Sequence, residues 1–110
     1  MAGYRLTIRD GPRVAHQDHE SLEGAIGALE AALEAVPAAR DPVKFFTREI
    51  EPVQQVVARG EIAGPGRARG GVDLRGDGSA EAFTGRWRRT LVERRTGETA
   101  YDALARALAG

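Results

Sequence analysis

Period-two alternation opens the chain. Tyr4, Leu6 and Ile8 fall on one side of a strand, and Arg5, Thr7 and Arg9 on the other. Asp10-Gly11-Pro12 reads as a turn, and Arg13–His16 as a short return strand. The period then changes. Leu22, Ile26, Leu29, Leu33 and Val36 recur at steps of four and three, which predicts an amphipathic helix ended by Pro37. Ser21 is its expected N-cap, with Glu23 in the first turn. Gly24, Gly27 and Ala28 leave a small-residue side on this helix, where another element is expected to come close.

Asp41-Pro42 is a helix-start signal, and Val43, Phe46, Ile50, Val53 and Val57 step at helical spacing. The expectation is a helix kinked at Pro52, with Glu51 as the junction and Gly60 as its cap. The β-branched Val56 and Val57 support a competing strand over Val53–Ile62.

The stretch from Gly60 to Glu93 organises the rest. Its glycines and arginines punctuate short apolar runs, which predicts an antiparallel sheet segment. Arg75-Gly76-Asp77-Gly78 is expected as its tightest turn, a two-residue hairpin on the Asp-Gly step. Phe83, Gly85, Trp87 and Leu91 would share one strand face, with Arg86 and Arg88 opposite and the strand ending near Arg88. Thr99, with Asp102 three residues on, is close to a capping box for a last helix carrying Tyr101, Leu104 and Leu108.

These elements predict an α+β fold: a small, mostly antiparallel sheet with two or three helices packed on one face. A hairpin followed by a helix occurs at 4–36 and again at 71–109, a possible ββα pseudo-repeat. The 110 residues suit one domain, 1–110. Much of the apolar content is alanine, so the core is expected to be thin and a second copy could help to cover it.

Composition excludes some chemistry. There is no cysteine, hence no disulfide, thiolate nucleophile or thiolate metal site. No Gly-x-Ser-x-Gly elbow is present. No apolar run reaches membrane-span length and the N-terminus does not read as a signal peptide, so the expected location is the cytoplasm. The formal charge is zero. Residues 1–58 carry six basic and nine acidic side chains, and residues 59–110 carry ten and seven. Every basic residue but Lys44 is arginine.

Three constellations merit attention. His16 and His19, beside Asp18 and Glu20, form the densest set of potential metal ligands, but their spacing is not that of a helical His pair. A capping loop before the Ser21 helix explains them as well. Gly64–Gly71 is glycine-rich but lacks the Gly-Lys-Ser/Thr ending of a phosphate loop. The arginine cluster is the best candidate: Arg67, Arg69, Arg75, Arg86, Arg88 and Arg89 surround Trp87. Such a face could bind phosphates while Trp87 stacks on a base. Against this stand Glu61, Asp73, Asp77, Glu81 and Glu93 in the same stretch, and an isoelectric point of about 6.7.

No motif identifies a family. If Val53–Ile62 were a strand, the helix–three-strand–helix order at 21–109 would resemble the double-stranded-RNA-binding fold. The Lys-Lys start of that fold's last helix is replaced here by Glu98-Thr99-Ala100, and no residue role carries over. The leading expectation is a non-catalytic interaction or accessory module, homodimeric or larger, needing no cofactor. The alternative is a nucleic-acid-binding protein using the arginine face around Trp87. A third reading is an enzyme whose site forms between subunits around His16, Asp18 and His19.

Overall fold

The computed structural model describes residues 3–36, 43–45, 48–50, 56–85 and 88–109. The chain runs β1 (Tyr4–Asp10), β2 (Arg13–His19), α1 (Leu22–Glu34), β3 (Val43–Phe45), β4 (Arg48–Ile50), β5 (Val56–Ala63), β6 (Arg69–Arg75), β7 (Ala80–Thr84), β8 (Thr90–Leu91) and α2 (Ala100–Ala109). Six strands form one antiparallel sheet in the order β2-β1-β5-β6-β7-β8, and β3 and β4 pair separately. The fold is α+β, with two helices among the described residues.

Sheet register sorts the side chains into two faces. Leu6 lies beside Ile62 and Ile8 beside Gly60. Gly60 continues to Val72, and Val72 to Ala82. These residues face the helices. Leu29 and Leu33 of α1 and Ala103 and Leu104 of α2 close the core from above, all buried. α1 lies over β1 and β5, and α2 over β6 and β7. Among the described residues, no polar or charged residue is buried.

Both helix starts follow from their caps. The Gly24 backbone N–H donates to Ser21 Oγ over 3.0 Å. At α2 the reciprocal box forms: the Asp102 N–H donates to Thr99 Oγ1, and the Thr99 N–H donates to Asp102 Oδ2.

Several expectations are corrected. The helix expected through Val57 to Gly60 is a strand, Val56–Ala63, and short strands occupy 43–45 and 48–50. β5 is central, paired with β1 on one side and β6 on the other. That pairing and the β-branched valines outweigh the helical spacing. The expected start at Asp41-Pro42 and kink at Glu51-Pro52 lie outside the described residues. The six-stranded sheet takes in the N-terminal hairpin, which joins β5 through β1, and ends at β8 beyond β7.

The return strand is longer than expected, running to His19 with seven consecutive pairs to β1. The Asp77-Gly78 turn is looser than a two-residue hairpin. The Arg75 N–H donates to the Ser79 carbonyl across three residues, with Gly78 at φ 89°. β7 stops at Thr84 because Gly85 turns the chain with φ 96°. Gly24 and Gly27 are exposed and nothing packs on Gly27. Close approach occurs on the sheet instead: Leu29 of α1 fills the place of a side chain at Gly60, and Leu104 and Leu108 of α2 do so at Gly70.

Candidate functional site: the open face and free edge of the sheet

The sheet face away from the helices carries Arg5, Thr7 and Arg9 from β1 and Val14, His16 and Asp18 from β2. β5 adds Arg59 and Glu61, β6 adds Arg69, Asp73 and Arg75, and β7 adds Glu81 and Phe83. Alternation within each strand and the register between strands together assign these positions.

Most of the charge on this face is paired across strands. Arg5 donates to Asp18 from Nε at 3.0 Å and from Nη2 at 3.5 Å. Arg59 grips Asp73 the same way, with Nη2 to Oδ2 at 3.1 Å. Arg75 Nε meets Glu81 at 2.5 Å. Glu61 lies between Arg9 at 3.8 Å and Arg89 at 3.7 Å. The bond from Arg5 holds the Asp18 carboxyl below its usual range, and the bond to Asp73 raises Arg59. A carboxylate held ionised in this way is a poor proton donor at neutral pH.

Phe83 is the aromatic centre of the face. It is buried at 3% exposure, yet it points away from the helices. Its ring covers Gly71, and the guanidinium carbons of Arg89 and Arg59 lie 4.9 and 5.6 Å from its centroid. Leu91 of β8 is directly across from it.

The candidate arginines therefore divide. Arg75 is bonded to Glu81, and Arg89 is stacked on Phe83. Arg67 sits in the exposed turn before β6, Arg69 begins β6, and Arg88 follows Gly85. These three make no ion pair among the described residues. Arg69 and Arg5 border a shallow cleft of about 260 Å³ with Thr7, Glu61 and Gly85. Arg86 and Trp87 lie outside the described residues, so their assignment to opposite faces does too.

His16 and His19 are not brought together. They are three residues apart on a strand, so they face opposite sides of the sheet. His16 Nδ1 bonds Thr7 Oγ1 at 3.1 Å, while His19 Nε2 bonds Gln17 Oε1 at 3.0 Å. Among the described residues no group of three or more His, Asp or Glu side chains could hold a metal.

Sequence reasoning missed the outer edge of β2. Residues 13–18 are exposed and His19 is partly so. Among the described residues, no strand pairs with that edge. The missed signal was Gln17-Asp18-His19: polar at every position, it read as a capping loop. On an edge strand neither face is deeply covered, and apolar alternation disappears. The other sheet edge is the two-residue β8.

No family model, curated protein or solved structure matches the chain.

Proposed function

We propose that the protein is a non-catalytic interaction module that acts through self-association. The observation that carries this reading is β2, a seven-residue edge strand with no pairing partner on its outer side among the described residues. Such an edge presents a row of backbone donors and acceptors to another strand. Several usual guards are missing: β2 contains no proline or lysine, its pairing to β1 has no bulge, and Arg13 and Asp18 are its only charged residues besides the histidines. The two hairpin–helix units, β1–β2–α1 and β6–β7–β8–α2, are proposed as a pseudo-repeat. Sedimentation velocity over a wide concentration range tests the function. A dimer or larger species supports it, and a monomer throughout overturns it.

A second reading is nucleic-acid binding through the open face. It is favoured by Arg67, Arg69 and Arg88, which lie along one end of the sheet without acidic partners among the described residues. Pairing of Arg5, Arg59 and Arg75 with carboxylates leaves fewer cations for phosphates. Titration of single- and double-stranded oligonucleotides against tryptophan fluorescence tests it. Quenching that weakens steeply with salt supports binding, and unchanged emission argues against it.

A further inference from the structure

We propose that two copies of this chain pair β2 against β2 antiparallel, about a two-fold axis at His16, to give one continuous twelve-stranded sheet. This rests on the self-association reading and supplies its interface and register.

The hairpin settles which backbone groups are free. Asp10 and Arg13 flank the two-residue turn Gly11-Pro12 and pair with each other. A turn of that length closes on a pair that exchanges backbone hydrogen bonds. The ladder then alternates, so the N–H and C=O groups of Val14, His16 and Asp18 point away from β1.

Symmetry narrows the register. Pairing two copies of one strand in a continuous antiparallel sheet places the two-fold axis perpendicular to the sheet. It therefore passes through a pair of identical residues. Centred on His16, all seven residues overlap: His16 faces its copy, Val14 faces Asp18, and Arg13 faces His19. The overlap is about 23 Å long. Centring on Val14 or Asp18 shortens it, and centring on Asp18 also sets two carboxylates face to face.

Charge favours the same arrangement. The row across the junction on the open face reads Arg9, Val14, then Asp18 and Arg5 of the second copy. Asp18 would lie between two arginines, with only a small valine between it and Arg9. Arg9 is held loosely in the single chain, 3.8 Å from Glu61. The contact is isologous and closes at two copies. Pairing β2 with β8 of another copy would leave edges open for further addition, but β8 offers only two residues.

The chain has no cysteine, so an introduced thiol is the only one present. In a hydrogen-bonded antiparallel pair the facing Cα atoms are about 5.5 Å apart, within disulfide range. His16→Cys should cross-link to a dimer under mild oxidation. Val14→Cys should not, because its two copies would be more than about 12 Å apart along the strands. His16→Pro removes an outward N–H without removing a β1–β2 backbone bond; the side-chain bond to Thr7 is lost in His16→Ala as well. It should shift sedimentation to monomer while circular dichroism stays native, and His16→Ala should remain dimeric. A wild-type monomer overturns both this interface and the self-association reading. A wild-type dimer that resists His16→Pro and fails to cross-link at position 16 overturns the interface alone. Cross-linking at 14 instead of 16 overturns the register.

Discussion

The ring of Phe83 lies on Gly71, its direct cross-strand neighbour on the open face. A Cβ at Gly71 would come within 2.8 Å of the ring tip and closer still to the Gly60 carbonyl oxygen. The glycine leaves the space that the phenylalanine occupies. Covering a sheet glycine with a neighbouring aromatic ring is a known way to steady such a position. Gly71→Ala should therefore destabilise the fold by about 1–3 kcal/mol, since backbone as well as ring must shift. Denaturant titration with matched slopes checks it. A stability equal to wild type would show that the ring is not seated there.

Phe83 also gathers two arginines. Phe83→Ala should cost about 3–5 kcal/mol, the range for truncating a buried aromatic ring. Phe83→Leu keeps much of the apolar volume but loses the stacking of Arg59 and Arg89, worth about 0.5–1 kcal/mol for an exposed cation and more for a covered one such as Arg59. The leucine variant should be clearly the more stable of the two. If both fell equally, the arginine stacking rather than the buried ring would be the main contribution.

This pair also marks what could be read from sequence. Phe83 and Leu91 do share a face, but as partners across β7 and β8 and not along the single strand that alternation implied. Which face they share depends on register with β6, a non-local fact. The alternating strand at Tyr4–Asp10, the Ser21 cap and the Thr99–Asp102 box were legible because each is set within a few residues. β5 was ambiguous because two of its inward positions are the small Ala58 and Gly60, which weaken the apolar alternation, and Val53–Val57 fits a helical period equally well. The arginine cluster was legible as composition. Its pairing with Asp73, Glu81 and Glu61 was not, since those contacts cross strands.

Arg106 of α2 ties the helix to the segment before it. It donates to both oxygens of Glu98, at 2.9 and 3.0 Å, and to the Glu93 carbonyl at 2.9 Å. The Arg106 bond, joined by the Arg95 backbone N–H, lowers the Glu98 carboxyl to about 2. Its folded pKa is depressed, so its contribution is fully present above the ordinary value of 4.5 and fades as pH falls toward 2. Glu98→Gln should therefore be less stable than wild type at neutral pH, with the gap closing near pH 2. Paired denaturation curves at the two pH values check this. A gap that widened on acidification would reverse the assignment.

Two arginine–carboxylate pairs of like geometry differ mainly in exposure, which allows a clean comparison. Arg5 and Asp18 have side chains 62% and 74% exposed, while Arg59 and Asp73 are 27% and 16% exposed. Water already solvates the first pair, so separating it changes little. Asp73→Asn takes away the partner of a guanidinium that is half-covered and held against Phe83. It should cost about 1 kcal/mol or more, allowing for residual solvent screening. Asp18→Asn should leave the unfolding midpoint of the single chain nearly unchanged. In the proposed dimer, however, Asp18 lies between Arg5 and the second copy's Arg9, so the same substitution should weaken association. Asp73→Asn should lower unfolding stability without changing the dimerisation constant. Measuring both variants by denaturation and by sedimentation equilibrium separates the two effects. Equal losses of stability from the two substitutions would mean that exposure does not govern these pairs.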